Sequence, residues 1–198
     1  MAKKNNLVIV LGFTTIFFIL ISQILLIDQL SGKNSLSFED EDVIITLTGD
    51  DALFTARYGL KNYGMSNSFV ISLPFASRPW DINLTFNGIS LEYSWMSSIV
   101  PPETEVFDTI IFRVNIEPNQ EGDILVSYKR NYSIIIENEI TSIIYRYIVG
   151  STRSWNAPLI FAHFEFWLQE GSIKTLLESR DYTNWLPTET FLYFRYTP

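Results

Sequence analysis

The chain has 198 residues, of which 47% are hydrophobic and 15% aromatic, enough for one domain with a sizeable core and a short additional segment. It contains no cysteine, which excludes a disulfide framework, a thiolate metal site and a cysteine nucleophile. Past residue 27 there are 12 Lys and Arg against 22 Asp and Glu. This balance argues against nucleic acid and anionic lipids as partners and favours cations or basic protein surfaces.

The first predicted element is a membrane-spanning helix over residues 7–27. This stretch carries no charge and is long enough to cross the hydrocarbon core of a bilayer. It is longer than the apolar region of a cleaved signal and lacks a small-x-small cleavage site, which favours a retained anchor. Because Lys3 and Lys4 precede it and Asp28 follows it, the N-terminus is predicted to be cytoplasmic and the rest of the chain extracytoplasmic.

Residues 1–27 are therefore assigned to a cytoplasmic stub and anchor, 28–41 to a polar stalk and 42–198 to the outer domain. Short alternating or apolar runs separated by turn residues recur along the outer domain and are typical of strands. The strands are predicted at Val43–Thr48, Ala52–Asn62, Ser68–Phe75, Trp80–Phe86, Ile89–Trp95, Val106–Ile116, Ile124–Tyr132, Ile140–Val149, Leu159–Leu168 and Glu189–Tyr196. Only 172–179 is interpreted as a short helix, capped by Ser172.

The fold class that follows is all-β: an antiparallel β-sandwich of about ten strands, preceded by one transmembrane helix. Its clearest turn is Asn87-Gly88, a pair suited to a two-residue type I′ hairpin in which both residues take positive φ. The strands on either side alternate regularly. Their apolar residues are predicted to form one core face, made of Trp80, Ile82, Leu84, Phe86, Ile89, Leu91, Tyr93 and Trp95.

No pattern of catalytic or cofactor-binding residues is present. His163, the only histidine, has no partner at the spacing of a catalytic triad or a zinc site, and a hydrogen bond to a strand neighbour is expected instead. The simplest nucleotide-binding loops are also absent from the sequence. The acidic runs at Glu39–Asp42 and at Asp50 and Asp51 fall at opposite ends of the first strand, which is an awkward arrangement for one calcium site. We therefore expect no catalytic residue, no metal and no cofactor.

Two similar loops are candidate partner-binding sites, because Arg and Trp are enriched at the energetic centres of interfaces. One contains Arg78 beside Trp80, and for this Trp a place in the core is the favoured interpretation. The other contains Arg153, Trp155 and Asn156, where recognition and core filling stay equally open. The motifs starting at Asn83 and Asn131 match the N-glycosylation pattern and are candidate modification sites on the outer side.

The sequence thus predicts a non-enzymatic, membrane-anchored outer domain that binds or supports another cell-envelope component. Its layout is similar to that of anchored surface proteins of archaea and bacteria, including pilin-like and archaellum-accessory components. That similarity implies an alternative, a subunit of a filament or membrane complex assembled through residues 7–27, although the glutamate that many pilins carry near the start of this helix is missing. A third hypothesis is a hydrolase whose acidic cleft the sequence does not reveal.

Overall fold

The computed structural model describes residues 36–49, 51–99, 106–149, 159–189 and 191–198. Within these ranges the chain folds into thirteen strands. They are β1 (Leu36–Thr48), β2 (Asp51–Asn62), β3 (Ser68–Phe75), β4 (Trp80–Phe86), β5 (Ile89–Ser90), β6 (Tyr93–Ile99), β7 (Val106–Asn115), β8 (Glu121–Arg130), β9 (Ser133–Glu137), β10 (Ile140–Ile148), β11 (Leu159–Glu170), β12 (Ile173–Trp185) and β13 (Phe191–Tyr196). The all-β prediction is confirmed for this part of the chain.

The largest layer is a seven-stranded sheet with the order β12-β11-β1-β2-β8-β4-β5, here called the main sheet. Its neighbouring strands are antiparallel except for β1 and β11, which pair in parallel from Asp40 opposite Phe161 to Leu47 opposite Leu168. The prediction of a purely antiparallel sheet is therefore wrong at this pair. A parallel pair needs a long crossover, and here β11 returns beside β1 only after the chain has passed through β2 to β10.

The other two sheets have three strands each: β3-β7-β6, the β7 sheet, and β13-β10-β9, the β10 sheet. One hydrophobic core contains buried residues from all three sheets. In the main sheet, the Phe54 ring lies 4.4 Å from that of Tyr128 and 5.3 Å from that of Tyr147 in the β10 sheet. The Phe75 ring of the β7 sheet packs edge-on against Tyr128, with 5.0 Å between the ring centroids. Stacked aromatic rings therefore join the sheets across the core.

The predicted turn at Asn87-Gly88 is confirmed, with φ values of 49° and 79°. The strand predicted after it is not continuous, because β5 pairs with β4 through only two residues before the chain crosses to the β7 sheet. The single apolar core face is therefore wrong. Leu84 and Phe86 are buried, whereas Ile89 is 72% exposed and Trp95 is 36% exposed. The alternation of apolar residues continues in the sequence after Gly88, but the chain leaves the main sheet there, so these residues do not share one face.

Trp80 also departs from its predicted place in the core, since 38% of it is exposed. The next residue, Asp81, has a φ of 54°, and the pairing between β4 and β8 shifts register between Trp80 and Asn83. Such an irregularity breaks the period-two alternation of side chains along a strand. The Trp80 side chain therefore does not lie on the same face as the buried Leu84 and Phe86.

The helix predicted over 172–179 is wrong, because these residues begin the long strand β12. Gly171, with a φ of 59°, lies in the tight turn that folds β12 back antiparallel onto β11. Pairing with a neighbouring strand overrides the weak local preference for a helix. At the other end of the domain, β1 begins at Leu36, within the residues assigned to the stalk.

Candidate functional site

A groove of about 700 Å³ lies on the outer face of the main sheet. It is at the proximal end of the domain, defined here as the end where Leu36 of β1 pairs with Asn62 of β2; the distal end is the turn joining Thr48 to Asp51. The lining residues come from β1, β2, β8, β11 and the β4–β5 turn. They are Glu39, Asp40, Asp42, Arg57, Gly59, Leu60, Asn87, Glu121, Gly122, Asp123, Ile160 and Phe161.

A local irregularity and a glycine shape the floor of this groove. The pairing of β1 with β2 shifts register between Phe38 and Asp40. A Cβ on Gly59, opposite Asp40, would lie 2.7 Å from a carboxylate oxygen of that residue, closer than side-chain atoms approach. The missing side chain at Gly59 therefore lets the Asp40 carboxylate lie across β2.

Arg57 is the cation at the centre of the groove. Its guanidinium group lies 2.6 Å from Asp40 Oδ1, 2.8 Å from Asp42 Oδ2 and 3.0 Å from Asp123 Oδ1. The hydrogen bond to Asp42, followed by the other carboxylates, raises the pKa of Arg57, so it stays charged. Five carboxylate side chains and one guanidinium line the groove. Its net charge is negative, and its arginine already contacts three of the carboxylates.

One wall of the groove is apolar. Ile160 and Phe161 line it from β11 and are 57% and 38% exposed. Apolar surface rimmed by polar residues is one feature of interaction sites. The groove therefore combines a negative floor with an apolar wall, which suits a cationic ligand with a hydrophobic part.

His163 follows on the same face of β11, and its ring stacks parallel to that of Phe161. Its Nδ1 lies 2.5 Å from Asp181 Oδ1, and its Nε2 lies 3.2 Å from Glu165 Oε1. The bond to Asp181 is the main cause of a raised pKa at His163. Trp167 Nε1 donates to Glu165 at 2.7 Å. Both ring nitrogens face carboxylates, and the expected hydrogen bond of His163 to a strand neighbour is present.

Sequence reasoning missed a buried polar network directly beneath the groove. Glu41 is only 1% exposed, and Tyr147 Oη donates to its Oε1. Tyr147 Oη also lies 2.9 Å from Tyr58 Oη. Burial raises the pKa of Glu41 to about 7. The only sequence signal was the position of Glu41, which has the same parity along β1 as the buried Val43 and Ile45.

Of the predicted partner-binding residues, the structure describes only Arg78, which does not line the groove. Arg153, Trp155 and Asn156 lie outside the described residues, as does the predicted span 7–27. Arg78 lies elsewhere, 3.5 Å from Asp108 Oδ1 and 4.3 Å above the ring of Trp95.

The two candidate glycosylation residues, Asn83 and Asn131, are both exposed. Among the described residues, no group of three or more His, Asp or Glu side chains is arranged to hold a metal ion. The same ranges contain no helix with the length and hydropathy of a membrane span.

No family model matches the chain, and no curated protein matches its sequence. Among solved structures, a protein of Legionella pneumophila provisionally named a nutrient-binding protein is 12% identical with a TM-score of 0.53, over 68% of this chain and 50% of its own. Yeast LTA4 hydrolase is 9% identical with a TM-score of 0.45, over 68% of this chain and 23% of its own.

A two-domain M1 zinc metallopeptidase is 13% identical with a TM-score of 0.45, over 81% of this chain and 42% of its own. The chain thus spans half or less of each of these proteins, and the similarity to the Legionella protein concerns the fold alone.

Proposed function

We propose that this chain is a non-enzymatic, membrane-anchored β-sandwich that binds a positively charged segment of another cell-envelope protein in the groove on its main sheet. The observation that carries the proposal is the lining of that groove. Five carboxylates surround a single arginine, and two exposed apolar residues form the wall. Lys and Arg side chains have both a cationic head and an apolar stem, so a basic segment matches both features.

The electrostatics of the groove support a cationic ligand over an anionic one. Arg57 already contacts three carboxylates, so it offers little to a phosphate or a carboxylate group. Lys61 contacts Glu121, which is still 70% exposed, and interacts electrostatically with Glu39, so Arg57 holds neither of these two carboxylates. Complementary charge of this kind mainly accelerates association and selects the partner.

The placement of the groove supports a partner close to the membrane surface. The groove lies at the proximal end, where β1 begins, and the predicted anchor at residues 7–27 precedes β1 in the chain. An extracytoplasmic domain held in this way would present the groove near the bilayer and the turn at residue 49 away from it.

The sandwich arrangement is supported by the main sheet and the two smaller sheets, which share one core.

The test uses the full chain in mild detergent and a fluorescently labelled octalysine peptide as the probe. Fluorescence anisotropy at low salt gives the dissociation constant. A Glu39→Gln, Glu121→Gln double variant removes two charges from the groove. The matched control, Glu139→Gln with Glu170→Gln, removes the same charge from exposed positions outside it.

The groove variant should bind the peptide about tenfold more weakly, since two partly exposed charge contacts together contribute roughly 1.4 kcal/mol. The control variant should bind nearly as tightly as the unmodified chain. Equal weakening by both variants would mean that the peptide senses only the overall negative charge. That outcome, or no binding at low salt, would contradict the proposal.

A further inference from the structure

Strand β9 is an exposed apolar edge. It pairs with β10 on one side, and none of the described strands pairs with its other side. All five of its residues are exposed, including Ile134, Ile135 and Ile136 at 60%, 37% and 71%. An unpaired edge presents a row of free backbone N–H and C=O groups, which is a template for pairing with another strand.

Two of the other edge strands among the described residues carry features that discourage such pairing. Strand β12, at one edge of the main sheet, has a register irregularity opposite Phe166 and Trp167 and carries charged side chains. Strand β3, at an edge of the β7 sheet, contains Pro74. Strand β9 has no proline, no lysine or arginine and no break in register against β10. Its free edge is therefore regular and apolar, and edges of this kind are prone to pair with another strand.

We propose that β9 pairs with β9 of a second copy of this chain, antiparallel about a two-fold axis through Ile135. The five-residue sequence Ser-Ile-Ile-Ile-Glu is self-complementary in this register. Ile135 faces Ile135 of the second copy, Ile134 faces Ile136, and Ser133 faces Glu137. An interface that repeats the same contacts on both sides of the axis closes at two copies.

The charge and the hydrophobicity of β9 both fit pairing with a second copy of β9. The one charged residue of β9, Glu137, lies 3.4 Å from Arg195 of its own chain and would meet a serine hydroxyl rather than a second carboxylate. Ile134 and Ile136 lie on the same face of β9, since side chains alternate along a strand. Pairing therefore gathers four isoleucines into one patch and turns two three-stranded sheets into a continuous six-stranded one. Cross-strand apolar pairs of this kind stabilise sheets.

The test exploits the absence of cysteine, since a single introduced thiol forms a disulfide only with its own position in a second copy. Ile135→Cys in the full chain, in mild detergent, should form a covalent dimer rapidly under mild oxidation. Residues on the axis of an antiparallel pair have Cα atoms about 4.5–5.5 Å apart, within the range for a disulfide. The matched control is Ile173→Cys on β12, an equally large exposed isoleucine that should crosslink far more slowly.

A second variant separates pairing from folding. Ile135→Lys places two ammonium groups together on the axis, so it should convert the dimer into monomer in light scattering, while circular dichroism shows the same folded domain. Crosslinking at position 135 no faster than at position 173 would overturn the proposal. So would a dimer that persists in Ile135→Lys, because another strand or the membrane segment would then hold the copies together. Neither result bears on the groove, which lies on a different sheet.

Discussion

Three consecutive carboxylates of β1 face opposite sides of the main sheet and have different environments. The side chains of Asp40 and Asp42 point outward to Arg57 and are 35% and 42% exposed. Glu41 points into the core, where it is 1% exposed and accepts a hydrogen bond from Tyr147. The same acidic run thus supplies an outward, ion-paired surface and a buried titratable group.

The difference shows that the period-two geometry of a strand, rather than local charge density, decides what each acid does. The outward acids keep contact with solvent and pair with Arg57. The inward acid has lost its hydration and instead couples the stability of the core to pH. The following predictions test how far the two sides of the main sheet differ.

The largest contrast is expected between the neighbouring residues Phe54 and Thr55 of β2. Phe54 is fully buried between aromatic rings, whereas Thr55 is exposed on the outer face. Phe54→Ala should lower the free energy of unfolding by about 3–5 kcal/mol, the range for deleting a large buried ring. Thr55→Ala should change it by less than about 0.5 kcal/mol. Chemical denaturation measures both, and similar losses would mean that the faces of β2 are assigned wrongly.

The buried acid predicts a pH dependence of the opposite sign to that of an ordinary ion-paired carboxylate. Between the usual Glu pKa of 4.5 and about 7, Glu41 holds a proton in the folded chain but not in the unfolded chain. Stability contributed by this group is therefore lost as pH rises through that window. The loss amounts to roughly 3 kcal/mol, at about 1.4 kcal/mol per unit of pKa difference.

Glu41→Gln is the control for this prediction, because the amide keeps an acceptor for Tyr147 but does not titrate. Denaturant unfolding at a series of pH values should show the decline in the unmodified chain and a flatter profile in the variant. Parallel profiles would show that Glu41 is hydrated in the folded protein. Its place in the buried network would then be wrong.

A smaller effect is expected at the turn between β4 and β5. Gly88 has a φ of 79°, and a Cβ there would meet no atom within 4 Å, so only the backbone conformation opposes substitution. Gly88→Val should cost about 1–2 kcal/mol, because a β-branched residue tolerates this conformation poorly. Gly88→Asn should cost clearly less. Melting temperatures compare the two, and an equal effect would mean that positive φ is not required.

The smallest effect is expected at His163 on the outer face. Asp181 raises its pKa, so its stabilising contribution is complete below the usual value of 6.5 and disappears as pH rises through the higher folded value. The side chains are partly exposed, which limits the contribution to less than about 1 kcal/mol. Asp181→Asn should remove this part of the pH dependence in thermal unfolding. A larger change in the pH dependence would indicate that His163 and Asp181 are less exposed to water than the structure shows.

Much of the fold follows from sequence patterns. The bounds of β3 and β4 match their predicted runs, and the Asn87-Gly88 turn has the expected backbone. Strand β9 was missed because its turn to β10 uses Asn138 and Glu139, both with positive φ, and glutamate seldom adopts that conformation. Strand β12 was mistaken for a helix because its pairing with β11 is a tertiary contact that local propensity does not contain.

The groove could not be predicted, for a related reason. Its carboxylates come from β1 and β8, and Asp123 is 66 positions from Arg57 in the chain. Only the order β1-β2-β8 in the main sheet brings them together. Local alternation could have placed Asp40 and Asp42 on one face. The register that sets Asp123 beside Arg57 is a property of the whole sheet.

Hydrogen exchange of the full chain with and without octalysine tests the groove most directly. Backbone amides near Asp40 and Asp42 in β1, and near Asp123 in β8, should exchange more slowly when the peptide is bound. Amides of β9 and β10 should be unaffected, since those strands lie in another sheet. We expect protection from exchange only in the strands that line the groove. Protection confined to other strands, or unchanged exchange at saturating peptide, would contradict this expectation.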